Sequence, residues 1–339
     1  MKIAQIAPLY ESVPPLFYGG TERVVAHLTD ALVDLGHDVT LFASADARTK
    51  GALVPVRDQA MRLDPCALKS DLAAHLAMLH EVRTRADEFD VMHFHIDMIH
   101  FPFFEHCPLR TLTTLHGRLD MKDLGDVYRR WMQYPLVSIS EDQRRPLRFA
   151  NWVATVHHGL PSDLYRIAPE KRPDRAINIA RRAGRLLKIA AKVDAADATY
   201  FRDSIKPMLV GPSTDFVGEI GDAEKNELLG GASALLFPID WPEPFGLVMI
   251  EAMACGTPVI AWDRGSVSEI VDHGVTGFVV RSEEEAVAAL RRADDLDRRT
   301  VRKTFERRFS AGVMAQNYLD SYSRLQHSGV ACGARLLSA

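Results

Sequence analysis

Cysteine is scarce in this chain of 339 residues: Cys66, Cys107, Cys255 and Cys332 stand far apart and form no C-x-x-C pair. That spacing argues against a zinc site and a disulfide framework, and for a reducing compartment. No run approaches the roughly eighteen consecutive apolar residues of a membrane span. The opening "MKIAQIAPLY" has one lysine and no small-residue cleavage site, so it reads as a first strand and not as a signal peptide. These absences predict a cytoplasmic protein. Charge of one sign is lacking too: 41 Lys and Arg against 45 Asp and Glu leave a net −4, which gives no strong pull toward nucleic acid. The pairs Arg144–Arg145 and Arg307–Arg308 read as solvated helix faces. The loop after the first strand, "APLYESVPPLFYGGTERVV", is not G-x-G-x-x-G, which argues against a nicotinamide-dependent dehydrogenase.

What is present is an alternation of short apolar runs with longer amphipathic ones. "KIAQIA", "DVTLFA", "DVMHFH", "RTLTTLHG", "LVSIS" and "WVATVHH" read as strands. "TERVVAHLTDALVDLGH", with Thr21 as N-cap and Gly36 as stop, and "LKSDLAAHLAMLHEVRTRADEF" read as helices. The second half repeats the theme: helix "PDRAINIARRAG", strand "LLKIAAKV", helix "DAEKNELLGGA", strand "ALLFP", helix "FGLVMIEAMACG", strand "PVIAW", then "VSEIVDHG" and "TGFVV". Helices over 283–308 and 310–326 close the pattern. Strands alternating with helices predict parallel α/β sheets, and the length fits two domains. Ligands of such sheets bind beyond the carboxyl ends of the strands, so chemistry is expected in strand-to-helix loops, in a cleft between the domains.

Four loops carry candidate chemistry. Gly19 and Gly20 precede a helix start, where a backbone can approach an anion; a plain turn fits equally. His116 in "TLHGRLD" ends a strand, where it could accept from a sugar hydroxyl or share a proton, or simply cap the strand. His93 and His95 of "HFH" are read as pointing to opposite faces, hence as structural and not as a metal pair. Arg166 and Lys171 in "RIAPEKRPDRAI" flank a proline turn before a helix and suit a diphosphate, or form an exposed basic loop. In "PIDWPEPFGLVMIEAMACGTPVIA", Glu243 lies in a kinked loop and Glu251 inside an apolar helix that starts near Phe245–Gly246. A carboxylate in such company needs a partner, and two adjacent sugar hydroxyls can supply one. The N–H groups of Gly246 and Leu247 would point at whatever Glu243 holds.

"EPFGLVMIEAMACGTPVIA" resembles the Glu-x7-Glu segment of retaining glycosyltransferases, especially family 4 with its GT-B fold. "YGGTERVVAHLTDALVDLGHDVTLFA", "TLHG", "RIAPEKRPDRAI" and "GSVSEIVDHGVTGFVV" resemble other family segments in the same order, so the likeness runs nearly end to end. It implies an α/β fold of two Rossmann-like, doubly wound domains facing across a cleft. Residues 1–159 would form the acceptor domain and 160–308 the donor domain, with a helix over 309–327 returning to the first. The implied activity is retaining transfer of a hexosyl-type sugar from a nucleotide-sugar to a sugar, lipid-linked or small-molecule acceptor, with peripheral membrane contact if the acceptor is a lipid. Arg166 and Lys171 would neutralise the diphosphate, and Glu251 would bind the ribose. Glu243 and the backbone of Phe245, Gly246 and Leu247 would hold the sugar. Gly19 and Gly20 would let the first loop approach the diphosphate, and His116 would contact the reacting sugar. No cofactor beyond the donor is implied. No acidic D-x-D cluster occupies a loop position, so no metal is expected.

The chain departs from the family at one place. Between "WVATVHH" and Arg166 only "GLPSDLY" remains to supply a linker and a strand. Seven residues span at most about 25 Å, and a strand takes about five or six. Either "LYRIA" forms a very short strand, or "WVATVHH" belongs to the second sheet, or the donor domain carries a deletion. Ala191 also stands where the family often has glycine. A silent GT-B-shaped binder of nucleotide or glycan is therefore the competing expectation.

Overall fold

The computed structural model describes residues 1–16, 19–66, 68, 70–159, 166–167, 171–193, 197–220 and 222–336. For 166–167, 192, 222–223 and 328–336 the description is of the backbone. The chain divides into two units, Met1–Pro161 with Ser310–Ala339, and Ser162–Phe309.

The strands of the first unit are β1 (Lys2–Ile6), β2 (Asp38–Ser44), β3 (Ala52–Arg57), β4 (Val91–Phe94), β5 (Thr111–Thr114), β6 (Leu136–Ser138) and β7 (Trp152–Thr155). All pair in parallel, in the order β3–β2–β1–β4–β5–β6–β7. The central strands are buried on both sides, as in a parallel sheet covered on both faces, although they carry polar residues; β4 and β5 are buried throughout. The helices are α1 (Gly20–Asp34), α2 (Asp71–Thr84), α3 (Leu124–Arg130) and the last helix of the chain, α11 (Ala311–Leu336), which packs on α1. Thr21 is not the N-cap of α1: Gly19 holds that position and its carbonyl accepts from Arg23 N at 3.0 Å. The edge strand β3 falls in a segment whose sequence shows no clean strand pattern.

In the second unit β8 (Arg166–Ile167) pairs with β10 (Lys192–Val193), β9 (Leu187–Ala190) with β11 (Thr214–Gly218), and β12 (Leu235–Phe237), β13 (Val259–Trp262) and β14 (Gly277–Val280) form a row, all parallel. The helices are α4 (Pro173–Ala183), α5 (Ala198–Tyr200), α6 (Asp222–Gly231), α7 (Leu247–Ala254), α8 (Val267–Ile270), α9 (Glu283–Arg292) and α10 (Arg298–Arg308). "WVATVHH" has not moved into a second sheet: β7 pairs with β6 in the first unit. The first strand of the second unit is the two-residue β8, the shortest of the expected solutions; residues 160–165 before it lie outside the described residues. The helix expected over 283–308 is two helices, because the Asp297 side chain caps a fresh start by accepting from Arg299 N at 3.1 Å.

The basic pairs are not uniformly solvated. Arg145 and Arg307 are exposed. Arg144 instead donates to Ser138 Oγ at 2.7 Å, and Arg308 to Asp272 at 2.9 Å. Two further arginines of α10, Arg298 and Arg302, point at helix ends. Arg298 donates to the carbonyls of Gly230 and Ala232 at 2.8 and 2.6 Å, and Arg302 to that of Ala254. Cations there satisfy the last carbonyls of α6 and α7 and offset the negative end of each helix.

Glu22 in the first turn of α1 is 5% exposed. Burial pushes its carboxyl from the ordinary 4.5 up to about 7; its own backbone N–H opposes that shift, and the charge of the nearby Glu11 adds to it. The folded state thus holds a proton that the unfolded chain releases above pH 4.5, so this group's contribution to stability falls as pH rises toward 7. At about 1.4 kcal/mol per unit, the ceiling is about 3 kcal/mol. Glu22→Gln is therefore expected to gain on the wild type by up to that amount between pH 5 and pH 8 in urea unfolding. A difference independent of pH would contradict the assignment.

Candidate functional site

The second unit gathers its polar candidates at the carboxyl ends of β12 and β13. The chain leaves β12 through Pro238 and kinks at Pro242 and Pro244, so that Glu243 turns back toward the sheet edge with only 9% exposure. Lys171, at the entrance to α4, reaches the same place: its Nζ lies 2.5 Å from Glu243 Oε2. The ammonium also stands over the rings of Trp241 and Phe237, at 5.0 and 5.5 Å from their centroids, where the negative ring faces favour a cation. Arg172 sits beside it at φ +52°, left-handed for a residue with a Cβ. Two acids hold it there: a bidentate pair with Asp174 at 2.8–3.0 Å, and Asp240 at 3.1 Å. Arg175 and Arg264 also lie near Asp240, at 3.6 and 3.8 Å.

Two glycines shape the Glu243 loop. Gly246, at φ +75°, is the N-cap of α7, and a Cβ there would fall 2.8 Å from Met249 Cε and 3.2 Å from Glu243 Cγ. Gly265, at φ +55°, lies flat against Glu243: a Cβ there would meet its carbonyl oxygen at 2.4 Å and its nitrogen at 2.5 Å. This closeness lets Ser266 N donate to Glu243 O at 3.0 Å and Ser266 Oγ to Phe245 O at 2.9 Å. Phe245 is buried, while Gly246 and Leu247 remain partly open at the helix start. The first N–H groups of α7 have no acceptor within their own helix and can meet a ligand oxygen.

Glu251 lies one turn further in, 2% exposed. Its partner is one that the sequence did not disclose: Lys225 of α6, equally buried, with Nζ 3.7 Å from Glu251 Oε1. At that separation the two share charge without a direct hydrogen bond. Arg166 forms β8 through its backbone; its side chain lies outside the described residues. The residues that sequence reading passed over are Lys225, Arg172, Arg175 and Asp240. "EKRPDR" did show two further arginines beside Lys171, whereas Lys225 in "DAEKNELL" looks like any surface lysine.

In the first unit, Gly20 opens α1 and Gly19 is packed by its own loop, since a Cβ there would sit 2.8 Å from Pro15 Cβ. His116 follows β5, and its Nε2 lies 2.9 Å from His95 Nδ1. His93 and His95 do not point to opposite faces. Side chains two apart along a strand share a face, and these two rings lie 4.1 Å apart, both buried. Burial drives both imidazoles well below their usual range and brings His116 down to about 3, so the rings are neutral at physiological pH. The ring of His158 stacks on His116 at 5.2 Å.

Parallel α/β units, one of them ending its strands in buried carboxylates beside lysine and arginine, are the layout of a sugar-transferring enzyme of the GT-B class. The comparisons with known proteins agree. The model of "Glycosyltransferase Family 4" matches residues 18–148, and that of "Glycosyl transferases group 1" matches 164–305. A glycogen synthase of Mycobacterium tuberculosis is 27% identical over an alignment covering 90% of this chain and 92% of that protein. A phosphatidyl-myo-inositol mannosyltransferase of Mycobacterium leprae is 33% identical over 121 residues, 34% of this chain and 32% of that protein. The sucrose-phosphate synthase of Thermosynechococcus elongatus superposes with a TM-score of 0.73 at 17% identity, covering 96% of this chain and 99% of that one. The chain belongs to the family 4 glycosyltransferases with the GT-B fold. Among the described residues, no helix is long and apolar enough to cross a membrane.

Gly265 gives a test of the loop. Gly265→Ala combines left-handed strain, about 1 kcal/mol, with overlap on the Glu243 backbone, for a loss of about 3 kcal/mol in urea unfolding. Gly274→Ala is the control, because Gly274 has φ +78° and nothing near its Cβ position; it should cost about 1 kcal/mol. Equal losses would show that the close approach to Glu243 is not needed.

Proposed function

We propose that this protein transfers a hexosyl-type sugar from a nucleotide-sugar donor to an acceptor hydroxyl with retention of anomeric configuration and without a metal ion. The observation that carries the reading is the pairing of Lys171 with Glu243 at the end of β12. A part-exposed lysine and a buried carboxylate meet at one point, beside the open start of α7.

Donor binding would divide that pair. Lys171, with Arg166, would take the diphosphate, while Glu243 would accept hydrogen bonds from the hydroxyls of the transferred sugar. Glu251, balanced by Lys225, would accept from the ribose hydroxyls. The N–H groups of Gly246 and Leu247 would address the sugar, the Gly19–Gly20 loop the diphosphate, and His116 a hydroxyl of the reacting sugar. In the transfer itself the bond from the anomeric carbon to phosphate oxygen breaks. The acceptor oxygen bonds to the same face of that carbon, and its proton passes to the departing phosphate. The protein's contribution would be to stabilise, with its cations, the negative charge that grows on the diphosphate. The acceptor is a sugar, a small molecule or a lipid-linked hydroxyl reached by peripheral membrane contact, and the protein works in the cytoplasm.

Calorimetric titration with UDP, GDP and ADP, with and without magnesium, tests this reading. One of them is expected to bind independently of magnesium. Lys171→Ala, which loses a charge-assisted contact of about 1.5–3 kcal/mol, should weaken it about 10- to 100-fold, and Glu251→Gln should weaken it too. A folded protein that binds none of the three would overturn the proposal.

A further inference from the structure

The unit formed by the first sheet and α11 contains a chain of buried polar side chains that the transfer reaction does not explain. Starting from His116, Nε2 lies 2.9 Å from His95 Nδ1, and His95 Nε2 lies 2.7 Å from Gln5 Oε1. Gln5 Nε2 donates to the Tyr322 hydroxyl at 3.2 Å, and that hydroxyl lies 2.8 Å from His93 Nδ1. His93 Nε2 is 2.7 Å from Thr114 Oγ1, which is 2.9 Å from the Tyr318 hydroxyl. Gln5, His93, His95, Thr114, Tyr318 and Tyr322 are each 3% exposed or less. The two tyrosines come from α11, more than 200 residues away in sequence from their partners on β1, β4 and β5.

Neutral side chains can run this chain in two directions. In the first, His116 Nε2–H donates to His95, His95 Nε2–H donates to Gln5, the Gln5 amide donates to Tyr322, Tyr322 donates to His93, and His93 Nε2–H donates to Thr114. In the second, every proton and the Gln5 amide are reversed, and all three histidines carry the proton on Nδ1. Each internal link is satisfied either way, so the links alone do not choose. The free end does. His116 Nδ1 is buried and meets no hydrogen-bond partner among the described residues. In the second direction that atom is a buried N–H without an acceptor, a rare and costly state; in the first it is a lone pair, which is tolerated better.

We propose that His116 is the Nε2–H tautomer, with His95 and Gln5, linked to Tyr322 of α11, as the positioning residues that accept and relay its hydrogen bond, so that its Nδ1 is left as an acceptor for a substrate hydroxyl. The role of that hydroxyl rests on the transfer reading above; the direction of the chain does not. Such a ring can orient a sugar hydroxyl by accepting from it but cannot donate to it, and its orientation depends on α11 staying docked in the same unit.

The test is nitrogen NMR on the full chain with 15N-labelled histidine, at pH 7.5 and without ligand. A shared N–H···N bond between two rings gives a 15N–15N coupling across it, and the larger one-bond coupling tells which nitrogen carries the proton. The expected result is a protected proton on His116 Nε2, coupled to His95 Nδ1, with His93 and His95 also protonated on Nε2. His95→Asn, whose carbonyl can replace the lost acceptor, should keep the protected His116 proton, and His95→Phe should lose it. A proton on His95 Nδ1, or no shared signal in the wild type, overturns the proposal even if neither variant folds. A His116 signal unchanged in folded His95→Phe does so as well. Failure of all nucleotides to bind, with the tautomer as stated, counts against the donor reading alone.

Discussion

A carboxylate removed from water must be met by charge or by hydrogen bonds, and the second unit is arranged around that requirement. Glu243 and Glu251 occupy one short stretch from loop to helix, and each has a lysine of its own, Lys171 and Lys225. The two pairs differ in kind. Lys225 and Glu251 are both 2% exposed, so this pair is buried on both sides. Lys171 is one-third exposed and stands over aromatic faces, so its own charge keeps contact with water while Glu243 does not. One pair is sealed from water and the other reaches it through its lysine, and both lie at the same loop and helix.

Backbone contacts also place Glu243. Gly265 lies so close to Glu243 that a carbon added to Gly265 would overlap the Glu243 backbone, and Ser266 ties that segment to Glu243 and Phe245. The arginines around Asp240 hold the neighbouring loop in turn, with Arg172 kept in a left-handed conformation by two carboxylates. Strain of that sort persists where surrounding contacts over-determine it and is common at ligand-binding loops. The first unit uses a different device, a buried network in which burial keeps the histidines neutral and tyrosines of α11 link into it.

The parts of this structure that could be read from sequence are those whose cause is local. "ALLFP", "FGLVMIEAMACG" and "PVIAW" become β12, α7 and β13 within a residue or two, because an apolar run cut by proline and glycine leaves the chain little choice. The edge strand β3 escaped because half of its surface meets water and Pro55 lies within it. Lys225 escaped because its burial is a property of α6 and α7 together, while its own neighbours in sequence are polar. The meeting of Lys171 with Glu243 spans 72 positions. His93 and His95 were open to a correct reading, since the two-residue period of a strand puts them on one face; their link to Tyr318 and Tyr322 was not, because nothing local ties α11 to β4. The short approach to β8 was legible as a departure, and the structure resolves it as a strand of two residues.

The central claim is that the Lys171–Glu243 contact lies in a nucleotide-sugar site. A crystal structure of the protein with its tightest-binding nucleoside diphosphate tests this most directly. The account predicts Lys171 Nζ on the diphosphate, drawn off Glu243, with the Glu251 carboxylate on the ribose hydroxyls. A nucleotide bound elsewhere, with Lys171 still 2.5 Å from Glu243 as in the ligand-free chain, would contradict it.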